Sequence, residues 1–417
     1  MKNLPFRASI LALCLLVSCG KETADPFTTT FYTGSKSFHA ADYNMWVILQ
    51  AADGDLLHVE RVALQPNAPE QAYSTKQVSS SETCDVTIAF LDVNSGHLSL
   101  VTYKNIPSGK KLLPDIFTTA TDDRTVYAQI DISGMPEFDW FECTGTSPES
   151  VFFDSPAPDF KASVFQLKTG GTGTLVRWKA KSDPNFRAYW HPINATTPVE
   201  PVKITLPATD FSADMPKLSL QLPYAADWWA NVRGVINPVG TANYACLANR
   251  LYDDKAPKIE QIEFEKPDNV NCSSFWVFAM DQGPGEQTEL ERLFPIGAPL
   301  TLATTGFRLK QFSLNSNGNI LLDSEGDFDV LHILVFGNAG KVSWQIEGDP
   351  DDLKICPVPH IPDSLKQQWP ALTGFDTGQT RCGEYEGLSG FRQYLDANRS
   401  ESLWRARLGF RGKWQQW

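Results

Sequence analysis

The amino-acid sequence predicts an all-β protein made of tandem antiparallel β-sandwich domains with very little helix. Apolar residues alternate with polar ones in short runs separated by Gly, Asn and Asp turns. Residues 86–90 alternate, 94–96 form a turn, and 98–102 alternate again. Helical periodicity is confined to two short segments, 363–369 and 390–398. The 28 glycines and 28 prolines are spread along the chain, as expected of many short strands joined by loops.

The first eighteen residues predict a signal peptide. Lys2 and Arg7 form a basic start, and residues 8–17 are an apolar run of ten, which is too short to span a bilayer. The run ends in Leu-Val-Ser before Cys19, and this arrangement resembles the lipobox of bacterial lipoproteins. The resemblance implies that residues 1–18 are removed and that Cys19 is lipidated. A plain secretory signal is the alternative interpretation.

The same resemblance implies where the protein is held. Gly20 stands where an aspartate would resemble the inner-membrane retention signal of enteric bacteria, so we expect the lipid to anchor the chain to the outer membrane. Both the periplasmic face and the cell surface stay open. Residues 19–30, which include Thr28, Thr29 and Thr30, predict the lipidated cysteine and a polar, flexible spacer.

The composition indicates an acidic globular protein. With 42% apolar and 20% charged residues, the chain is predicted to fold rather than to be disordered. Removal of the leader takes away two cations, which leaves 34 basic and 49 acidic residues and a net charge of −15. This charge excludes nucleic acid as a partner. No later run has the apolar length of a membrane span, so the lipid is the predicted membrane attachment.

Weak internal similarity predicts how the strands are grouped. Segments that start at Ile116, Ile204 and Leu300 share a Thr-rich pattern, and Phe27 starts a shorter copy; the starts lie 89, 88 and 96 residues apart. This spacing matches the size of an immunoglobulin-like sandwich. The segments are interpreted as the opening strands of four domains, 27–115, 116–200, 201–298 and 299–417. The alternatives are one larger β domain over 27–197, with a division near 196–201, and a propeller.

The cysteines predict a disulfide framework. Six cysteines remain in the body of the mature chain, an even number for an oxidising compartment. Two pairs have the same spacing of 26 residues, which predicts the disulfides Cys246–Cys272 and Cys356–Cys382, and Cys84–Cys143 follows by elimination. Metal ligation is a weaker alternative, because the sequence has no Cys-x-x-Cys pair.

Catalytic and metal-binding patterns are scarce, and no cofactor is predicted. Acidic pairs occur at 122–123, 253–254 and 349–352, where solvated turns are the preferred interpretation over a hydrolase. Oxygen ligands alternate around glycines in the loop after Asn315, which makes a weak calcium candidate. Its residues are Asp323, Glu325, Asp327 and Asp329. The loop lacks the downstream glutamate of an EF-hand, so an acidic hairpin loop is preferred.

An aromatic cluster predicts a glycan-binding site. Tyr224, Asp227, Trp228 and Trp229 combine flat rings with a carboxylate, a combination suited to sugars. Neighbouring tryptophans cannot both point into one sandwich core from a regular strand. At least one indole of this pair is therefore expected to be exposed in a loop.

The C-terminal residues 404–414 predict a strand. Apolar residues occupy even positions and four cations occupy odd ones: Arg405, Arg407, Arg411 and Lys413. We expect the apolar face to close the last core. The preferred interpretation of the cationic face is solvated arginines paired with carboxylates, and the alternative is contact with an anionic glycan, lipopolysaccharide or acidic protein.

The leading functional interpretation is an outer-membrane or cell-surface lipoprotein that acts as a non-enzymatic binding or structural module. The plan of a lipobox followed by sandwich domains resembles the glycan-binding lipoproteins of Bacteroidota nutrient-uptake systems. That resemblance implies a glycan as the ligand. Two alternatives remain: an envelope hydrolase that uses an acidic pair, and an assembly partner of another envelope protein.

Overall fold

The computed structural model describes most of the chain from residue 25 to the C-terminus. The described residues are 25–32, 43–65, 70–114, 125–144, 150–152, 159–168, 172–183, 185–193, 202–213, 215–237, 243–250, 258–267, 270–281, 285–314, 319–337, 339–366, 375–397, 405 and 409–417. The predicted leader and Cys19 lie outside them, so those expectations stay predictions.

Unit 1, residues 26–112, contains seven strands in two sheets. They are β1 (Pro26–Tyr32), β2 (Tyr43–Gln50), β3 (Leu56–Val62), β4 (Glu70–Ser79), β5 (Thr83–Asp92), β6 (Leu98–Pro107) and β7 (Lys110–Leu112). In the smaller sheet β1 pairs antiparallel with β4 and parallel with β7. The other sheet has the order β3-β2-β5-β6. Because β1 begins at Pro26, Thr28–Thr30 lie in a strand and not in a flexible spacer.

Units 2 and 3, residues 125–207 and 217–301, repeat this pairing scheme. The strands of unit 2 are β8 (Thr125–Ser133), β9 (Phe138–Thr144), β10 (Ser150–Phe152), β11 (Asp159–Lys168), β12 (Thr172–Ala180), β13 (Phe186–Ile193) and β14 (Val202–Pro207). Those of unit 3 are β15 (Lys217–Ala226), β16 (Trp228–Asn237), β17 (Asn243–Arg250), β18 (Ile259–Glu265), β19 (Ser274–Asp281), β20 (Gln287–Pro295) and β21 (Leu300–Thr301). Their smaller sheets have the orders β11-β8-β14 and β18-β15-β21, with the last strand parallel to the first in each unit.

Unit 4, residues 308–416, is a variant of the same scheme. Its strands are β22 (Arg308–Leu314), β23 (Ile320–Glu325), β24 (Val330–Gly337), β25 (Val342–Gly348), β26 (Ile355–Cys356), β27 (Phe375–Tyr385) and β28 (Phe410–Gln416). The order β25-β24-β27-β28 corresponds to β3-β2-β5-β6 of unit 1, and the smaller sheet is β22-β23-β26. Here β22 is the first strand of the unit, and in the smaller sheet it takes the place that the last strand holds in the other three units.

Two sheets and seven strands per unit confirm the predicted all-β sandwich class. The phase of the repeat, however, differs from the prediction. The segment from Ile204 forms β14, which pairs with β8 of unit 2, and Leu300 starts β21, which pairs with β15 of unit 3. Both segments therefore end a unit. Phe27, in contrast, lies in β1, the first strand of unit 1, and the segment from Ile116 lies outside the described residues, so the Thr-rich segments do not mark equivalent strands.

Three of the four-stranded sheets join edge to edge into one sheet of twelve strands. Its order is β17-β16-β19-β20-β28-β27-β24-β25-β6-β5-β2-β3. Unit 4 occupies the middle: β28 pairs antiparallel with β20 of unit 3, and β25 pairs parallel with β6 of unit 1. The four-stranded sheet of unit 2 is separate, but its Leu175, Ala188 and Trp190 pack into the core of unit 3.

The smaller sheets cover the two faces of the twelve-stranded sheet differently. We define face A as the side that carries Met45 and Glu289, and face B as the side that carries Trp46 and Leu290. The smaller sheets of units 3 and 4 pack on face B, whereas that of unit 1 packs on face A. Face B of unit 1 is covered by unit 4. The continuous apolar run from Met45 to Leu49 is therefore buried on both sides.

In the part of the chain that the structure describes, helix is limited to short segments. α1 (Asp363–Lys366) and α2 (Phe391–Asp396) lie in the two segments with helical periodicity, and one 3-10 turn spans Ala208–Asp210. α2 packs on face A, where Phe391, Tyr394 and Leu395 join the core of unit 1. None of the helices in the described residues has the length and apolar character needed to cross a membrane.

The four cysteines with described side chains are buried free thiols: Cys84, Cys272, Cys356 and Cys382. Cys356 and Cys382, predicted to form a disulfide, each fill space in the core of unit 4, and the Cys356 thiol donates to the Leu353 carbonyl at 3.7 Å. Equal spacing along the chain does not place two Cα atoms within the roughly 4.4–6.8 Å that a disulfide needs. The side chains of Cys143 and Cys246, the other predicted partners, lie outside the described residues.

Candidate functional site

Trp228 is not available to a ligand. It begins β16 and is completely buried in the core of unit 3, where its indole Nε1 donates to the Tyr224 carbonyl at 2.9 Å. The Tyr224 hydroxyl donates to Asp281 Oδ2 at 2.9 Å and lies 2.7 Å from Thr288 Oγ1. The expected exposed loop is a strand, so the predicted role of Trp228 in binding is corrected to a structural one, whereas the ligand role of the half-buried Tyr224 stays a prediction.

Trp229 points the other way, as alternation along a strand requires. It lies on face A, half-buried, with its ring edge against Phe278 at a centroid distance of 5.1 Å. Asp227 is also half-buried. Of the two tryptophans, Trp229 remains the candidate for a ligand contact.

The acidic loop of unit 4 does not gather metal ligands. Asp323, Glu325 and Asp327 are exposed, whereas Asp329 is buried. Asp329 accepts hydrogen bonds from the backbone amides of Tyr385 at 2.8 Å and Gly390 at 2.7 Å, which ties β27 to the start of α2. Within the described ranges, no group of three His, Cys, Asp or Glu side chains could hold a metal ion. The weak calcium candidate is therefore not supported.

The structure instead brings polar and aromatic side chains together on face A, where units 3 and 4 meet. Cross-strand partners in a sheet point to the same face. Trp414 on β28 is paired with Arg381 on β27, Arg381 with His332 on β24, and His332 with Glu347 on β25. On the other side of β28, Glu289 on β20 is paired with Gly412. Among the described strands, none lies over this part of the face.

A cavity of about 540 Å³ opens on this surface. That volume is within the range of about 300–1,000 Å³ of small-molecule sites. The lining combines two cations, one carboxylate, one imidazole, aromatic rings and amides. It consists of Met280, Glu289, His332, Leu334, Gln345, Gln379, Thr380, Arg381, Tyr385, Tyr394, Arg405 and Trp414.

An arginine–glutamate network forms one wall of the cavity. Glu289 Oε1 accepts from Arg381 Nη2 at 2.5 Å and from Arg405 Nη2 at 2.6 Å. Arg405 Nε also lies 3.3 Å from Glu291 Oε2, and the other oxygen of Glu291 accepts from Trp276 Nε1 at 2.9 Å. Glu289 and Glu291 alternate along β20, so both point to face A. Only Glu289 reaches the cavity lining.

The pKa values of Glu289 and Glu291 are shifted in opposite directions by this environment. Burial acts to raise the pKa of Glu289, but the charges of Arg381 and Arg405 outweigh it and hold that pKa below its ordinary value. Burial raises the pKa of Glu291, and Arg405 offsets this only in part. The pKa of Arg381 is lowered by burial and by the neighbouring Arg405 charge, so Glu289 compensates its positive charge incompletely.

Phe410 supports both arginines. Its ring centroid lies 3.9 Å from the guanidinium carbon of Arg405 and 4.9 Å from that of Arg381. The ring fits because its neighbours are glycines: a Cβ on Gly412 would lie 2.5 Å from the ring, and one on Gly383 would lie 2.8 Å from it. The Phe410 ring packs over the two glycines and contacts both guanidinium groups, so it positions the two arginine side chains in the cavity wall.

The opposite wall is held by a second set of hydrogen bonds. His332 Nδ1 lies 3.5 Å from Glu347 Oε1, which also accepts from Gln345 Nε2 at 2.9 Å. The His332 ring stands edge-on to Tyr394 of α2 at 5.7 Å. Three donors of lining residues, Arg381 Nε, Arg405 Nε and Trp414 Nε1, are buried and have no hydrogen-bond partner among the described residues. Arg405 Nε still has its ion pair with Glu291, whereas no ion pair or hydrogen bond to a described residue involves the other two atoms.

The predicted C-terminal strand is confirmed over residues 410–416, although it lies inside the large sheet. Arg411 pairs with Glu384 at 2.6 Å, and Lys413 lies 3.4 Å from Glu286, as the preferred interpretation expected. Arg405 belongs to the cavity, and Arg407 lies outside the described residues. Glu289, Arg381 and His332 were missed; the available signal was charged residues at alternate positions of otherwise apolar strands.

The acidic pairs proposed for hydrolysis do not form a site in the described residues. Asp349 Oδ1 accepts the backbone amide of Asp351 at 3.0 Å, Asp351 binds Lys354 at 2.7 Å, and Asp352 lies 3.2 Å from the Asn105 amide. The pairs at 122–123 and 253–254 lie outside the described residues. Among its described lining residues the cavity has one carboxylate, where glycoside hydrolysis normally uses two.

Comparison with known proteins adds no relative. No family model matches the chain. A search of curated proteins also finds no match.

Proposed function

We propose that the protein is an outer-membrane or cell-surface lipoprotein that binds a short glycan, without catalysis, in the cavity on face A. The observation that carries the proposal is the lining of that cavity. Sugars are bound by aromatic faces together with directional hydrogen-bonding groups, and Trp414, Tyr385 and Tyr394 stand beside amides and guanidinium groups. The single carboxylate among the described lining residues favours binding over hydrolysis.

Glycan-array binding, followed by calorimetry on the strongest hits, tests the proposed ligand class. Trp414→Ala is expected to weaken binding at least tenfold, because it removes the largest aromatic surface of the cavity. Trp229→Ala is the matched control: this indole is also half-buried on face A but does not line the cavity. Loss of binding in Trp229→Ala alone, with both variants folded, would place the site at the earlier candidate.

The proposed anchor rests on the lipobox resemblance. Labelling cells with a fatty-acid analogue is expected to mark the wild type and not Cys19→Ala, which should be released from the membrane fraction. An unlabelled wild-type protein in the soluble fraction would contradict the anchor. That result would not bear on glycan binding, which the array and calorimetry test separately.

A further inference from the structure

We infer that the glycan carries a carboxylate, and that this group binds beside Arg381 and Trp414. The inference rests on the proposed function, because it specifies the chemical class of the ligand in the same cavity. It assigns to Arg381 the recognition of the acidic group. Trp414, its cross-strand partner, supplies a second donor.

The first argument is the excess of unused donors. The side chains of Arg381 and Trp414 line the cavity, and Arg381 Nε and Trp414 Nε1, which are buried, have no acceptor among the described residues. Both side chains are donors only, so neither can satisfy the other. Buried polar groups are nearly always paired, and a carboxylate, which only accepts, is the complementary group.

The second argument is charge. The described lining residues include two guanidinium groups and one carboxylate, an excess of one positive charge in a chain whose formal net charge is −13. Glu289 accepts from both arginines through one oxygen, Oε1. Arg405 has further partners in Glu291 and the Phe410 ring. Arg381 is the less compensated of the two cations.

The neighbouring acids do not fill this role. Glu291 and Glu347 lie behind the lining and are almost completely buried, with exposed fractions of 5% and 1%. Glu291 accepts from Trp276, and Glu347 accepts from Gln345. Arg381 is also the more accessible arginine, since 35% of its side chain is exposed against 22% for Arg405. A bound acid would therefore reach Arg381 first.

The decisive experiment compares acidic sugars with their methyl esters, which keep the shape and remove the charge. Oligouronates and sialylated oligosaccharides form two arms that distinguish the sources of the carboxylate. We expect at least one arm to bind, and its methyl ester to bind at least tenfold more weakly. Equal binding of acid and ester, or binding of neutral glycans only, would overturn the inference and leave the proposed function standing. Absence of binding by every glycan would overturn both.

Substitutions test whether Arg381 is responsible for the preference for the acid over its methyl ester. Arg381→Gln is expected to remove the discrimination between acid and ester, and Arg381→Lys to restore part of it, because lysine keeps the charge but not the planar fork. Arg411→Gln is the matched control: Arg411 lies on β28 with its ion pair to Glu384 and does not line the cavity. If a folded Arg381→Gln protein still bound the acid more tightly than its methyl ester, Arg381 would not be the residue that recognises the carboxylate. If Arg381→Gln does not fold, the comparison of acid with ester in the wild type decides alone.

Discussion

At the scale of single residues, Glu289 is the residue that the cavity wall depends on. Two guanidinium groups share one of its oxygens, and 9% of its side chain is exposed. Glu291, two residues along the same strand, has one arginine contact and a neutral indole donor. The same residue type therefore has different electrostatic roles at adjacent positions of one face.

We expect Glu289→Gln to destabilise the protein by about 3–5 kcal/mol, because it removes the counter-charge of the partly buried Arg381 and leaves Arg405 with Glu291 alone. Glu291→Gln is the matched control and should cost about 1 kcal/mol, since its neutral amide still accepts from Trp276. Urea unfolding at pH 7 measures both changes. Equal losses in the two variants would contradict the assigned roles.

The lowered pKa of Glu289 predicts that the stability of the protein depends on pH. Because the pKa of folded Glu289 is below its ordinary value, its stabilisation is present above the unfolded pKa and is lost as pH falls through the folded pKa. The stability difference between the wild type and Glu289→Gln should therefore narrow in acid. A difference that stays constant from neutral pH into the carboxylate range would show that Glu289 is not ionised in the folded protein.

The thiols make a further prediction at this scale. Burial raises the pKa of Cys84 and of Cys356 to about 12, so their thiolates are scarce at pH 8. Alkylation of the folded protein should spare Cys84, Cys272, Cys356 and Cys382, whereas denaturation without reductant should expose all four. Mass spectrometry counts the adducts. Protection of these cysteines in the denatured, unreduced protein would restore the predicted disulfide framework.

Few of the site residues could be predicted from the sequence. The alternation in residues 404–414 predicted Arg405 and Trp414 on opposite faces of one strand, but Arg405 is helical, β28 begins at Phe410, and both side chains line the cavity. Glu289, Arg381 and His332 lie 43 or more residues apart along the chain. Their proximity depends on the pairing of β20 with β28 and of β27 with β24, which no local pattern encodes. The prediction that Trp228 binds a ligand was wrong because the register of β16 turns this side chain into the core of unit 3.

At the scale of elements, the Phe410 ring packs against the paired strands β27 and β28 where each has a glycine. The ring needs the space above Gly383 and Gly412, where side chains would otherwise stand. Glycine weakens a strand interior, so its presence in two paired positions indicates close approach of another group. Here that group is the ring beneath both arginines.

Gly412→Ala and Gly383→Ala are each expected to destabilise the protein by about 1–3 kcal/mol, since the added methyl group overlaps the Phe410 ring. Gly306→Ala should be close to neutral, because nothing lies within 4 Å of a Cβ at that position. Thermal unfolding measures the three variants. Equal melting temperatures for Gly412→Ala and Gly306→Ala would show that the ring moves aside at little cost.

At the scale of the whole molecule, β28 connects units 3 and 4 through the large sheet. Deletion of residues 410–417 would leave β20 and β27 as open edges. We expect the truncated chain to unfold in two separate transitions, with the first at lower denaturant than in the full chain. Adding a peptide of residues 409–417 should restore a single transition. One unchanged transition in the truncated chain would contradict this connecting role.

The sandwich class and the repeat could be predicted from local alternation and turns, but the assembly of the units could not. Unit 1 is inverted relative to unit 4, so its smaller sheet covers the opposite face. This inversion follows from the parallel pairing of β6 with β25, a contact that turn residues and strand periodicity do not specify. The two smaller sheets that share face B leave face A of units 3 and 4 for the cavity.

That parallel pairing also sets an order of events during synthesis. Ser99 and Ser343, which face each other across β6 and β25, are 244 residues apart. At about 5–20 residues per second, a ribosome needs on the order of 10–50 s to travel between them. Throughout this interval the β6 edge and the apolar residues Trp46, Ile48 and Leu100 lack their covering unit. The β6 edge and these residues therefore stay uncovered until unit 4 has been made and has paired with β6.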